Sequence, residues 1–351
     1  MRNALKLLLV MLWLLVAGCA INPVTGKNQL ALLSQSHEIE MGQKQYAPSR
    51  QMHGGDYLLD PDLTSYVQSV GQRLAAVSDR KLPFEFVVLN SSIPNAWALP
   101  GGKIAINRGL LTELQSEAEL AAVLGHEIVH AAARHGAQSY ERSLLLKGAV
   151  LALAIATGGY DFSSLVVGAA SLGGELINQQ YSREDELEAD HYGIVYMIRA
   201  GYDPRAAVDL QETFVRLSES KQPNWLAGLF SSHPPSLERV QKNQETLAQL
   251  APASGEKGHQ RYQKQTAHLR KAQPAHTASD KARQALNSGD PHKARSLVSQ
   301  ALRIEPGEAR FHCLLGDIHA AQKENQDALR AYQVAIDLEP GYFRNYYQRG
   351  K

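Results

Sequence analysis

His126-Glu127-Ile128-Val129-His130 sets two imidazoles four residues apart, with a carboxylate beside the first. Residues four apart share one face of a helix, so His126 and His130 can both reach a single metal ion. Glu127 could then act as a base toward water held at that metal. The flanks read as helix, because Glu117 to Leu124 is rich in Ala, Glu and Leu, and Ala131-Ala132-Ala133 continues beyond the motif.

A catalytic zinc site takes three protein ligands and keeps one position open. In the extended pattern His-Glu-x-x-His-x-x-Gly-x-x-His the third ligand is a His. Here that pattern would need Gly at 133 and His at 136, and the chain has Ala133 and Gly136. His135 lies about 140° around a continuous helix from His130, which turns it away from the metal. The other source is a carboxylate on a second helix. Ser182-Arg183-Glu184-Asp185-Glu186-Leu187-Glu188-Ala189-Asp190 offers Glu186 for the metal and Asp190, four residues on, to orient a ligand imidazole through its other ring nitrogen. Alone, this stretch reads as a solvated acidic helix start favoured by the helix dipole. Following His126 and His130 in the same chain, the ligand reading prevails.

Together these stretches resemble the gluzincin metallopeptidases related to CAAX prenyl protease 1 and HtpX, in particular their soluble periplasmic BepA-type branch with a helical-repeat tail. The resemblance rests on Asn22 to Gly26, Asn95 to Gly102, His126 to His135, Tyr181 to Asp190, and His233-Pro234-Pro235 with Arg239; it covers about Ile21 to Leu250 plus the tail. It implies one zinc ion (Zn2+) at His126, His130 and Glu186, Glu127 as catalytic base, and Asp190 behind a ligand. It also implies that His233 approaches the metal as a removable ligand and that Arg239 stabilises the oxyanion. Without the resemblance, a lone His before two prolines is a rigid surface turn. With it, His233 in the open position would exclude water and hold the enzyme at rest.

Arg2 and Lys6 precede an apolar run from Leu7 to Val16 that ends at Ala17-Gly18-Cys19. That pattern is a signal peptide, too short for an ordinary membrane span. Val16 to Cys19 resembles a bacterial lipobox, so residues 1–18 would be removed and Cys19 would carry lipid; an incidental Cys after an ordinary secretory peptide is the alternative. Ala20, by resemblance to lipoprotein sorting, favours the periplasmic face of the outer membrane, with the soluble periplasm as the alternative. Cys313, the second of 2 cysteines, then has no partner and reads as a small buried residue on a repeat helix. Lys+Arg 36 against Asp+Glu 35 gives +1, which argues against nucleic acid as a partner.

The length of 351 residues suggests two domains after the signal peptide, 19–272 and 273–351. Leu82 to Asn90 reads as a strand, and Pro100-Gly101-Gly102 turns into a second one, Lys103–Asn107, which could pair with an extended substrate through its backbone. Leu144 to Ile177 is apolar and glycine-rich. Lys147 and Asp161 interrupt it, which favours a core helix plus mobile loop over a transmembrane hairpin. In the tail, Ala294, Ala301, Pro306 and Gly307 recur as Ala328, Ala335, Pro340 and Gly341, and 340 − 306 = 34 is the tetratricopeptide period. The final unit reaches Lys351 without its second helix, so this short array is expected to lean on the first domain or on a partner. Residues 251–280 read as a mostly exposed joint with His259, His268 and His276 as linker residues, with Arg261-Tyr262-Gln263 as a stretch that could still belong to the first domain.

The expected fold is therefore α+β and mostly α: a metallopeptidase domain with a small β-sheet, followed by an α-helical repeat domain. The expected activity is that of a zinc endopeptidase acting on protein or peptide substrates, by resemblance misassembled outer-membrane or periplasmic proteins. A chaperone or assembly factor with latent proteolysis is the alternative. The tail is expected to dock substrate or the outer-membrane assembly machinery, or to serve as a structural extension.

Overall fold

A computed structural model of the chain describes residues 19–156, 181–219, 233–250 and 254–351. The expected signal peptide and the part of the apolar segment from residue 157 onward lie outside the described residues. An antiparallel ribbon of β1 (Cys19–Ile21) and β2 (Asn28–Leu30) leads into α1 (Gln35–Met52) and α2 (Pro61–Ala75). Asp60 caps α2 by accepting from the Leu63 amide, and Pro61 pre-sets the first turn. Leu63, Val67, Val70 and Leu74 recur every three or four residues and bury one face of α2 in the main core.

The sheet is β3 (Glu85–Leu89), β4 (Ala96–Leu99) and β5 (Lys103–Asn107), in the order β3-β5-β4. This corrects the expectation that Lys103–Asn107 offers a substrate edge. β5 is the central strand: Ile104 pairs with Phe86 of β3 on one side and with Ala98 of β4 on the other. β3 and β4 are the outer strands, and β4 joins β5 at Gly101 and Gly102, whose φ values of 79° and 90° suit glycine. Among the described residues, no strand pairs with the outer edge of β4.

Among the described residues the helices that follow are α3 (Arg108–Glu113), α4 (Glu117–Ala132), α5 (His135–Ala156), α6 (Arg183–Arg199) and α7 (Arg205–Glu219). After them comes α8 (Leu237–Leu250). Nearly every residue of α4 is buried, because α2, β4, α6 and α7 all pack around it. The described start of the apolar segment, on α5, differs from the core helix expected. Leu144, Leu145 and Leu146 are consecutive, so a helix spreads them over several faces, and all three are exposed. No helix among the described residues is long and apolar enough to cross a membrane.

The joint expected to be exposed is instead helical. After α9 (His259–Gln265), helix α10 (Ala267–Asn287) runs through the boundary expected at 272/273. Leu269 belongs to the core of the first domain, whereas Ala275, Ala278 and Ala282 belong to that of the repeats. α11 (Pro291–Ile304), α12 (Ala309–Ala321), α13 (Asn325–Leu338) and α14 (Phe343–Gly350) complete the tail. The repeating alanines Ala294 and Ala301, and again Ala328 and Ala335, are buried where helices meet, and Cys313 is a buried free thiol on α12.

The repeats lean on the first domain through polar contacts. Asn90 donates to both carboxylate oxygens of Glu308 (2.9 and 3.1 Å) and accepts from Arg108 (2.8 Å). Gln51 donates to the Gly341 carbonyl and accepts from the Phe343 amide. His276, read as a linker residue, is buried between the rings of Tyr57 and Phe311. Glu339 lies 3.5 Å from Arg310, which also covers the Tyr342 ring. Burial outweighs Arg310 and pushes the Glu339 carboxyl up to about 7, with Glu308 and Asp56 adding to the rise. A carboxyl raised on folding contributes its stability fully below its unfolded pKa and loses it as pH rises through the folded one. Raising pH from about 5 to 8 should therefore lower the melting temperature by roughly 2–4 °C. Glu339→Gln should flatten that slope in a calorimetric pH series, and an unchanged slope would exclude Glu339 as its source.

Candidate metal centre

Two caps fix the helices that carry the motifs. Ser116 accepts from the Glu119 amide at the start of α4 (3.2 Å). At the start of α6, Ser182 and Asp185 form a reciprocal capping box, each side chain accepting from the other's backbone amide. The acidic run therefore divides its labour: Asp185 caps, and Glu186 and Asp190 turn inward and are buried. The two helices cross at Gly125 and Gly193. A Cβ on Gly193 would lie 3.2 Å from the His126 amide nitrogen, and one on Gly125 would lie 3.3 Å from the Gly193 carbonyl oxygen. That close approach lets a carboxylate on α6 reach imidazoles on α4.

Four buried donor atoms converge there. His126 Nε2 lies 2.9 Å from His130 Nε2 and 3.2 Å from His233 Nδ1, while His233 Nδ1 lies 2.8 Å from Glu186 Oε1. Glu186 Oε1 is 3.4 Å from His130 Nε2, and Glu186 Oε2 is 3.5 Å from His126 Nε2. One ligand atom from each of the four residues falls within 4.8 Å of the others. For nitrogen and oxygen ligands at zinc distances, the edges of a tetrahedron are about 3.3 Å, so this spacing suits a single ion. Buried Glu127 Oε2 and His233 Nε2 have no hydrogen-bond partner, which is costly unless something else satisfies them. The residues present fit a metal.

The electrostatics point the same way. Burial disfavours a charged His126, yet Glu186 and Asp190 outweigh it and push the ring pKa up to about 10, so the cluster draws in positive charge. Burial carries His130 well below its ordinary value, leaving a neutral imidazole whose lone pair can ligate. Burial would also raise Glu186, but His233, His126 and Arg239 hold its carboxyl well below the usual range. Glu127 moves the other way, because burial pushes its carboxyl up.

Asp190 accepts from Arg239 through both its oxygens, at 2.7 Å each, and its Oδ1 lies 2.9 Å from His126 Nδ1. Arg239 also lies 2.9 Å from Glu186 Oε2 and donates to the Pro234 carbonyl. In this arrangement Arg239 organises the two carboxylates and the His233 loop. Every expected site residue on α4, α6 and α8 thus meets His233 in one cluster. Cys19 stands apart from it as the first residue of β1.

Two contributors escaped the sequence reading. His135 was placed by continuing the helix past His130, but α4 ends at Ala132 and Arg134 takes the left-handed conformation (φ 70°). Arg134 is held there by Glu38 (2.6 Å) and Glu141 (3.0 Å), and it also donates to the Leu30 and Leu33 carbonyls. The break swings His135 back, so that its Nδ1 lies 2.8 Å from His130 Nδ1 and its Nε2 lies 3.1 Å from Glu188. Tyr181 has no role that the sequence motif alone assigns. Its ring stacks on His130 with centroids 3.8 Å apart. Gly136 was the one helix-stop signal near the break.

Two imidazoles one helical turn apart, a carboxylate from a second helix and an adjacent buried Glu define a metallopeptidase. Residues 61–247, more than half of the chain, match the model of peptidase family M48, and the chain belongs to that family. Residues 279–343 match a tetratricopeptide repeat. The chain is 27% identical over 349 residues to the beta-barrel assembly-enhancing protease of Escherichia coli (strain K12), covering 90% of this chain and 70% of that protein. It is 34% identical over 207 residues to the Vibrio cholerae counterpart, covering 55% of this chain but only 41% of that relative. Mitochondrial metalloendopeptidase OMA1 of Schizosaccharomyces pombe is 33% identical over 227 residues, with 64% and 65% of the two chains covered.

Contacts behind metal ligands typically change metal affinity by about 10–100-fold. Asp190→Asn and His135→Ala should each weaken metal binding by that order in competition with a chromophoric chelator. Wild-type affinity in both variants would show that neither residue orients its imidazole.

Proposed function

We propose that the protein is a zinc endopeptidase of the bacterial cell envelope, with His126, His130 and Glu186 as ligands and Glu127 as general base. The observation that carries this reading is the convergence of buried ligand atoms within 4.8 Å, next to a carboxylate with an unpartnered oxygen. Zinc held by these donors would supply Lewis acidity toward the scissile carbonyl and toward water. Glu127 takes the proton from the attacking water as its oxygen bonds to the carbonyl carbon. It then returns that proton to the leaving amine nitrogen as the C–N bond breaks. Asp190 keeps His126 in the tautomer with Nε2 free to ligate, and Arg239 either holds Asp190 and Glu186 in position or turns to the developing oxyanion.

His233 gives this site a resting state. Its Nδ1 shares the donor cluster and its Nε2 lies 3.5 Å from Glu127 Oε1, so the loop fills the position that water and substrate need. This favours a second reading, an assembly factor in which proteolysis is latent. By similarity to relatives named for β-barrel assembly, the substrates are misassembled outer-membrane proteins. The repeat tail then docks substrate or the assembly machinery, and a lipid on Cys19 anchors the chain to the outer membrane.

On purified, zinc-supplemented full chain, casein digestion should be lost with a chelator and should fall by about 10²–10⁴-fold in Glu127→Gln. His233→Ala should raise it, and a fall would remove the latch. If Glu127→Gln cells assemble their outer membranes as well as wild type, the assembly-factor reading wins. Cys19→Ser should move the chain from the membrane fraction to the soluble periplasmic fraction; unchanged fractionation would exclude the lipid anchor.

A further inference from the structure

A cavity of about 40 Å³ opens beside the donor cluster. It is lined by His126, Glu127 and His233 of the cluster and by further residues of α4, α6, α7 and α8. Its walls combine small residues, Ala122, Ala189, Gly193 and Ala207, with the larger Met197 and Phe214. At roughly 10–15 Å³ for each water-sized group, the space admits a side chain of about valine or threonine size. Polar residues also line it, among them Asp190, Arg239 and Asn243, and away from the donor cluster Gln211 is the one with an orphaned atom. Gln211 on α7 is 94% buried (6% exposed), and its Oε1 accepts no hydrogen bond. A buried acceptor left unpaired is unfavourable, and a ligand that donates to it removes that penalty.

We propose that this cavity is a specificity subsite that takes a short hydroxyl side chain, threonine or serine, from a substrate residue flanking the cleaved bond, with Gln211 Oε1 accepting from the hydroxyl. The inference rests on the endopeptidase reading above and adds to it which residue the enzyme selects. The small volume excludes long and aromatic side chains. The acceptor separates threonine from valine, which has the same shape but nothing to donate. Gln211 touches substrate in this account but takes no part in moving protons, so its loss alters selection rather than chemistry.

The test uses zinc-loaded full chain and fluorogenic peptides identical except for Thr, Ser, Val or Leu at each position flanking the cut. Wild type should cleave the Thr peptide with a kcat/KM roughly 3–10-fold above the Val peptide, the worth of one buried hydrogen bond, and the Leu peptide more slowly still. Gln211→Leu should erase the Thr-over-Val preference, bringing the kcat/KM of the Thr peptide to that of the Val peptide or below it. Gln211→Met does the same should the first variant fold poorly. Equal turnover of Thr and Val by wild type, or a preference that survives both variants, overturns the proposal. A parallel arm measures binding of the same peptides to Glu127→Gln. If no peptide is cleaved yet the Thr peptide binds more tightly in a Gln211-dependent way, the hydrolase reading falls and the subsite stands. If that binding preference is absent as well, the subsite falls too.

Discussion

Helices α4 and α6 cross with two glycines face to face, and the metal centre depends on that contact. Gly193 brings the α6 backbone so close to His126 that a methyl group there would press on a peptide nitrogen. Only at this separation does the short reach of Glu186 end between two imidazoles, and only then can Asp190 support one of them from behind. Burial then acts on the charges so gathered. Three carboxylates in a dry cleft, Glu127, Glu186 and Asp190, are balanced by Arg239 and by whatever positive charge the imidazoles or an ion supply.

The surroundings extend that constraint outward. Arg134 takes a conformation that an ordinary side chain adopts at a cost of about 1–2 kcal/mol, and a buried network with Glu38 and Glu141 holds it there. This break ends the motif helix and returns His135 to the back of His130. Tyr181 covers the face of the same ring. Both imidazoles of the motif are therefore held from behind, one by a carboxylate–arginine pair and the other by a histidine–glutamate pair.

Much of this was legible in the residues, for stated physical reasons. The four-residue spacings of His126 with His130, and of Glu186 with Asp190, carry helical periodicity directly, and the 34-residue recurrence carries the repeat. What escaped depends on tertiary context. His135 was misplaced because no glycine or asparagine marks position 134, where buried ion pairs rather than local preference set the backbone. β4 went unread because Ala96 to Leu99 is short and apolar throughout, a pattern of full burial that lacks alternation. The sequence presents α10 as a joint because Pro274 and its polar neighbours suggest a loop. In the fold, Ala275, His276 and Ala278 are covered by Tyr57 and the first repeat helices. Leu144 to Leu146 shows the converse, an apolar run that stays exposed because a helix cannot turn three consecutive residues one way.

The central claim, that side chains from two helices hold one ion, is tested most directly by anomalous diffraction at the zinc absorption edge from crystals grown with zinc. The account predicts a single peak bounded by His126 Nε2, His130 Nε2 and a Glu186 oxygen. A cleft with no peak, or a peak elsewhere with Glu186 turned away from both imidazoles, would contradict it.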